Sequence, residues 1–213
     1  MTAKTTTKIE REPRWTSLVA MLAAGCLYWA LPEPLSVGPS WGLAVVVAVL
    51  LIPIVVTYHR GVHRVSRILT FVANGAITLA MIASLVFMIQ GIPRHRDPPQ
   101  VLLRSAAALW ITNVLVFAMW YWKLDGGGPK VREERESRLE SSFLFPQMVM
   151  TGADPSWTPQ FVDYLFLAFN TSTAFSPTDT AVLSRWAKVG MMAQSLISLT
   201  IVALLAARAV NIL

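Results

Sequence analysis

Polar side chains crowd into the last third of a chain that is otherwise strongly apolar. The amides and hydroxyls of residues 170–180 lie between two apolar segments, with one carboxylate before them at Asp163 and one among them at Asp179. Where one helix ends and another begins inside a membrane, such oxygens coordinate ions or small substrates. We therefore expect an ion-conducting or transport-type protein that passes a monovalent cation. The candidate path residues are Asp163, Asn170, Thr171, Ser172, Thr173, Ser176, Thr178, Asp179, Gln194 and Ser198.

The same stretch has a second interpretation that needs no ligand. Ser176, Pro177 and Asp179 follow the order of a helix start, with a capping serine, a proline at the first helical position and an acid at the third. The last helix would then run from Pro177 to about Asn211, and Asp163 would lie one turn from the start of its own helix, near the interface. On this interpretation the protein is a non-conducting membrane scaffold or a partner-binding protein.

The last helix also carries a stripe of small and polar residues at a spacing of four, formed by Gly190, Gln194, Ser198, Val202 and Ala206. Stripes of this kind mainly let two membrane helices approach each other closely. A pore-lining role is the alternative.

Composition places the chain in a membrane. The 213 residues are 54% hydrophobic and 14% charged, whereas soluble domains carry about 25% charged residues. The net charge of +6 comes from short basic clusters between apolar runs, which is the pattern of membrane topology and argues against nucleic acid as a partner. The single cysteine, Cys26, excludes a disulfide framework.

The apolar runs predict an all-α integral membrane protein with about six transmembrane helices, because each crossing needs about 20 residues. A cytoplasmic tail (1–14) precedes a four-helix membrane region (15–122), whose helices we predict at 15–31, 41–58, 68–90 and 101–122. A cytoplasmic or interfacial linker (123–158) follows, with a charged helix at 131–140 and an interfacial segment at 142–150. The last region (159–213) holds a short helix, the polar turn and the long final helix.

Lysine and arginine counts predict that the N-terminus lies inside. With six crossings, 13 basic residues fall on the cytoplasmic side and 5 outside. The count does not decide whether 161–175 crosses or re-enters, because re-entry gives 14 against 4. Those 15 residues make a helix of about 22 Å against a core of about 30 Å. We favour a short span over a re-entrant helix.

No motif for catalysis or cofactor binding appears in the sequence, which has no phosphate loop, no GxGxxG and no Cys/His cluster. We predict no enzymatic activity, no cofactor and no metal site. The basic loop His59–Arg67 contains His59 and His63 four residues apart, but no carboxylate or cysteine lies beside them. Anionic lipid headgroups are its expected partners.

Several short motifs of the last 95 or so residues resemble a family of bacterial inner-membrane proteins that contain a domain of unknown function. The resemblance implies a bacterial inner-membrane location and carries no activity with it. Its motifs are Tyr121-Trp122, Asp125 with Gly127-Gly128-Pro129, Phe143-Leu144-Phe145-Pro146-Gln147-Met148, Trp157 to Leu165, Ala174-Phe175-Ser176-Pro177-Thr178-Asp179-Thr180 and Arg208-Ala209-Val210-Asn211-Ile212-Leu213.

A remoter resemblance is to the pore unit of potassium channels, which also orders a short helix, a threonine-rich turn, an aspartate and a long inner helix. Thr171, Ser172, Thr173 and Asp179 stand roughly where that unit has its filter threonines and aspartate. The resemblance implies a homo-oligomer around a central path. No glycine lies between Asn170 and Asp179, so a potassium-selective ring of backbone carbonyls is not part of this expectation.

Overall fold

A computed structural model describes residues 15–91, 98–134, 141–151, 157–173 and 179–210. Within these ranges the protein is built from helices and one very short antiparallel strand pair. The helices are α1 (Trp15–Tyr28), α2 (Gly42–His59), α3 (His63–Gly91), α4 (Pro99–Leu124), α5 (Pro129–Glu134), α6 (Phe161–Thr173) and α7 (Arg185–Val210). The strands are β1 (Phe143–Leu144) and β2 (Ala181–Val182).

Four helices of the described ranges, α2, α3, α4 and α7, are long and apolar enough to cross a membrane, and α1 is a shorter apolar helix. Helix α4 lies in the middle of the bundle and contacts α1, α3, α6 and α7. This position explains why about half of α4 is buried, whereas only 11% of α2 and 17% of α7 are. The helical membrane-protein class predicted from composition is therefore confirmed.

The starts of α1 and α3 and the ends of α2 and α4 meet at one end of the bundle, which we call the basic end. Trp15, His59, Arg64 and Lys123 from these four helices line one cavity there. At the opposite end, the hydroxyl groups of Tyr28 on α1 and Ser84 on α3 are hydrogen-bonded at 3.2 Å. Helices α1 to α4 thus alternate in direction.

Helices α6 and α7 run in the same direction, and both begin at the basic end. Phe143 of β1 contacts Tyr164 in the first turn of α6 and Trp186 in the first turn of α7, with ring centroids 6.1 and 5.9 Å apart. Further along both helices, the Ser198 hydroxyl donates to the Ser172 carbonyl at 2.7 Å. Between them, β2 pairs with β1, so the chain is back at the basic end before α7 starts.

The predicted helix boundaries need correction at several points. Helix α3 begins at His63 rather than 68, so half of the predicted basic loop is its first turn. Helix α6 is described from Phe161 to Thr173, and the last two residues of the predicted segment, 174 and 175, lie outside the described ranges. The segment 142–150, predicted as interfacial, contains β1, so the protein is not strictly all-α. Phe143 is fully buried there.

The predicted start of the last helix at Pro177 is wrong, and so is the role of Asp179 as its capping acid. Asp179 lies in a bend two residues before β2, and α7 begins at Arg185. Pairing of β2 with β1 holds this backbone extended, which is incompatible with helix. Ser184 is the cap instead, since its hydroxyl accepts from the Ala187 N–H at 3.4 Å.

Some predictions fall on residues outside the described ranges. These are the cytoplasmic tail 1–14, the second half of the charged helix at 135–140, the candidate path residues Ser176 and Thr178, and the C-terminal residues 211–213.

Candidate functional site

Gln194 of α7 is the centre of a buried polar cluster between α4, α6 and α7. Its side-chain amide donates to the Ala168 carbonyl at 2.7 Å and to the Ser172 hydroxyl at 2.8 Å, both on α6. Its side-chain oxygen accepts from the Tyr121 hydroxyl of α4 at 2.7 Å. Gln194 is fully buried, so one side chain joins three helices where no water competes for its bonds.

Asn113 of α4 completes this cluster from the other side. Its amide nitrogen donates to the Gln194 carbonyl at 3.2 Å and lies 3.5 Å from the Ser172 hydroxyl. Its side-chain oxygen is buried and has no partner among the described residues. One turn further along α7, the Ser198 hydroxyl accepts from the Trp110 indole at 3.0 Å. Gln194 and Ser198, predicted as path residues, therefore lie inside the bundle and pack α7 against α4 and α6.

The polar residues at the end of α6 fall into two groups. Thr171 and Ser172 are buried, whereas Asn170 is partly exposed and Thr173 is exposed. The side chains of Asn170, Thr171 and Thr173 each donate to a carbonyl one turn earlier in α6, at 3.0, 2.8 and 2.9 Å. Each bond pairs a side-chain donor with the backbone of α6. The side-chain oxygens remain able to accept a hydrogen bond or to coordinate a cation.

The two predicted carboxylates lie at the basic end and not beside the cluster. Asp163, half-buried at the third position of α6, accepts from the Gln160 N–H at 2.7 Å. This is the acidic half of a capping box, and it agrees with the interpretation that Asp163 starts its helix. Asp179 is exposed, in the short stretch between the end of α6 and β2. The structure thus brings Ser172, Gln194 and Ser198 together and keeps both acids apart from them.

The α4 side of the cluster was missed in the sequence. Trp110, Asn113 and Tyr121 all contribute bonds, and none of them was predicted as a site residue. The available signal was the pair Thr112-Asn113 in the middle of an apolar run, since polar residues inside membrane helices commonly bond a neighbouring helix.

A second buried polar centre anchors the linker to the bundle. Asp125, fully buried just after α4, accepts from the Ser141 hydroxyl and the Tyr164 hydroxyl, both at 2.6 Å, and from the Ser142 N–H. These three bonds occupy both oxygens of the carboxylate. Asp125 therefore joins the end of α4, the residues before β1 and the first turn of α6.

Arg132 of α5 closes the turn that contains Asp125. One of its nitrogens donates to the carbonyls of Trp122 and Asp125, both at 2.8 Å, and its guanidinium lies 5.0 Å from the Tyr164 ring centroid. The turn itself needs glycine, because Gly126, Gly127 and Gly128 all have positive φ. This segment was predicted only as a turn and linker, and its buried bonds could not be inferred from that composition.

A cavity of about 480 Å³ opens at the basic end. The predicted lipid-contact segment lies on its wall, where Tyr58 contacts His59 and His63 with ring centroids 5.9 and 5.4 Å apart. Arg64 and Arg67 of α3 and Lys123 of α4 line the cavity as well. Within the described ranges, no three or more His, Cys, Asp or Glu residues come together as a metal site would require.

Comparison with protein-family models, with curated proteins and with solved structures finds no match for this chain.

Proposed function

We propose that this chain is a multi-pass protein of a bacterial inner membrane that assembles as an ion-conducting homo-oligomer. The observation that carries the proposal is the shared direction of α6 and α7. Both helices begin at the basic end, and the chain is back at that end at β2 after α6 stops beside Gln194. A short helix that enters, a chain that lies at the same end again at β2 and a long helix that follows form the arrangement expected of a pore unit.

The length of α6 supports re-entry over a crossing. Its 13 residues make a helix of about 20 Å, while the hydrocarbon core is about 30 Å thick. The basic residues fit re-entry as well as they fit a crossing, with 14 inside and 4 outside. The re-entrant unit would then open to the cytoplasmic face, with the N-terminus inside.

The exposure of the polar residues decides which of them belong to the proposed path. Asn170, Thr173 and Asp179 have side chains at the protein surface, so a central path between subunits can use their oxygens. Thr171, Ser172, Gln194 and Ser198 are buried within one subunit, so they hold α6 in place behind the path. Support of this kind resembles the rigid scaffold that a precise coordination site requires.

Exposed apolar side chains on α6 and α7 are consistent with assembly through these two helices. Val162 and Phe166 of α6 are 62% and 64% exposed, and Val189 and Leu196 of α7 are 65% and 66% exposed. Either lipid or a neighbouring subunit can cover such a surface. The surface therefore permits an oligomer without requiring one.

The non-conducting scaffold remains a second candidate, and a specific observation favours it. The side-chain donors of Asn170, Thr171, Thr173 and Gln194 each have a hydrogen-bond partner inside one subunit. Bonded donors need no ligand, so holding the helices together is a sufficient role for this cluster.

Cation flux into liposomes separates the two candidates. We expect the wild-type protein to raise K⁺ or Na⁺ flux above that of empty liposomes, and Asp179→Asn and Thr173→Ala to lower it. The matched control is Thr200→Ala, since Thr200 on α7 bonds its own helix backbone at 2.7 Å as Thr173 does. This control should conduct like the wild type.

Flux at the empty-liposome level for all four proteins would refute the conducting proposal and favour the scaffold. Equal, elevated flux in the wild type and in both path variants would retain conduction but remove Thr173 and Asp179 from the path. Each protein must first reach the liposomes folded, which a sharp elution peak in detergent establishes.

A further inference from the structure

The cavity at the basic end has five basic side chains on its wall: His59, His63, Arg64, Arg67 and Lys123. Four of them lie close together in the sequence, at the end of α2 and the start of α3, and the fold brings Lys123 of α4 beside them. The lining residues that the structure describes include neither aspartate nor glutamate. A concave surface with this excess of positive charge attracts an anion.

The start of α3 adds to this field. His63, Arg64, Ser66 and Arg67 belong to its first turn or lie just beyond, and all four line the cavity. The first N–H groups of a helix have no partner within the helix, and together they carry a partial positive charge. Phosphate groups commonly bind at such a helix start, especially when arginines stand beside it.

The opposite wall of the cavity is apolar. It consists of Trp15 and Leu18 of α1 and Ile54 and Val55 of α2. Trp15 is the first residue of α1, whereas Leu18 and Ile54 lie about one turn further from the basic end along their helices. The cavity therefore offers a charged zone at the basic end and an apolar zone that extends into the bundle.

We propose that this cavity binds the headgroup of an anionic phospholipid from the leaflet at the basic end. The phosphate contacts Arg64, Arg67 and the first turn of α3, while the glycerol and the upper acyl chains lie against Leu18 and Ile54. The volume, about 480 Å³, is within the range of small-molecule sites, roughly 300–1,000 Å³. A soluble phosphate compound shares the charged contacts but has no use for the apolar wall, which is why the lipid is favoured. This site is independent of whether the protein conducts.

Native mass spectrometry of the full chain in detergent tests the proposal. The probes are phosphatidylglycerol and phosphatidylcholine, which share their acyl chains and differ in headgroup charge. We expect wild-type protein to retain phosphatidylglycerol at least about tenfold more tightly, because the cavity holds three arginine or lysine side chains and each one near a lipid headgroup contributes roughly 1 kcal/mol. Equal retention of the two lipids would overturn the proposal.

Arg60 provides the matched control for the two arginines of the cavity. It lies in the short connection between α2 and α3 and is exposed, but it does not line the cavity. We expect Arg64→Gln and Arg67→Gln each to weaken phosphatidylglycerol binding about fivefold, and Arg60→Gln to leave it unchanged. Equal weakening by Arg60→Gln would show a diffuse surface charge effect and would overturn the cavity as the site.

A third arm separates the lipid from a soluble ligand. Glycerol 3-phosphate at millimolar concentration should fail to displace bound phosphatidylglycerol, since it lacks acyl chains for the apolar wall. Full displacement would mean that a soluble phosphate is the ligand and would overturn the lipid proposal. Arg64 is exposed, so Arg64→Gln should keep the wild-type melting temperature. The Arg67 guanidinium lies 5.6 Å from the centroid of the Phe71 ring. If Arg67→Gln changes the melting temperature, Arg64→Gln is the deciding variant.

Discussion

The Tyr121 hydroxyl of α4 donates to the side-chain oxygen of Gln194 on α7 at 2.7 Å, deep inside the bundle. Gly190, one turn before Gln194, also faces the Tyr121 ring, and a Cβ there would lie 3.4 Å from it. The first half of the small-residue stripe on α7 is therefore a packing face against α4. Its second half is not, because Val202 is 44% exposed.

Replacing Gln194 with leucine should destabilise the protein by about 2 kcal/mol. The change removes three hydrogen bonds, and side-chain bonds between membrane helices contribute about 0.6 kcal/mol on average and at most about 1.7. Unfolding by SDS titration in mixed micelles measures this difference. Met192→Leu is the control, since Met192 is 71% exposed on the same helix. Equal stability of the wild type and Gln194→Leu would mean that the cluster does not hold the helices together.

The apolar runs were sufficient to locate α1, α2 and α4 to within a few residues, because burial of backbone polar groups in lipid requires helix. The start of α7 could not be predicted in this way. It depends on pairing between β1 and β2, two strands of two residues each, which are too short to have a pattern. A helix start was therefore predicted at Ser176, whereas the strand pair keeps Ala181 and Val182 extended and α7 begins only at Arg185.

Of the candidate site, only the residues on α6 and α7 were predictable from the sequence. Ser172, Gln194 and Ser198 were selected because polar residues stand out in an apolar segment, and the structure does bring them together. Their partners Tyr121 and Trp110 were hidden, since aromatic residues in a membrane helix normally indicate the interface. Likewise, nothing in the sequence distinguishes Asp125, which is fully buried, from an acid in an exposed glycine turn.

Asp125→Asn should be strongly destabilising, by about 3 kcal/mol, because hydrogen bonds to a charged group contribute about 1.5–3 kcal/mol each. The amide keeps one acceptor oxygen but places an NH₂ group where the donors of Ser141, Ser142 and Tyr164 converge. Asp163→Asn is the control, since Asp163 accepts one backbone bond that asparagine can also accept. The free energy of unfolding of both variants is measured by SDS titration. An equal loss in Asp125→Asn and Asp163→Asn would contradict the anchoring role of Asp125.

Asn74→Leu should stabilise the protein or leave its stability unchanged. Asn74 of α3 is 2% exposed, and neither its amide nitrogen nor its oxygen has a hydrogen-bond partner among the described residues. A buried polar group without a partner costs about 1–3 kcal/mol, and leucine has the same number and branching of side-chain heavy atoms. Asn113→Leu should instead destabilise, because Asn113 donates to Gln194. A loss of stability in Asn74→Leu would reveal that the amide has a partner in the assembled protein.

Cysteine labelling tests whether α6 re-enters. In a Cys26→Ser background, Asp179→Cys should react with a membrane-impermeant maleimide from the same side as Val62→Cys, which lies in the loop between α2 and α3 at the basic end. Val37→Cys, after α1 at the opposite end and 56% exposed, should react from the other side. If α6 crossed the membrane, Asp179→Cys would instead react together with Val37→Cys. If the N-terminus lies inside, only Val37→Cys should react in spheroplasts. In inverted inner-membrane vesicles, Asp179→Cys and Val62→Cys should react instead.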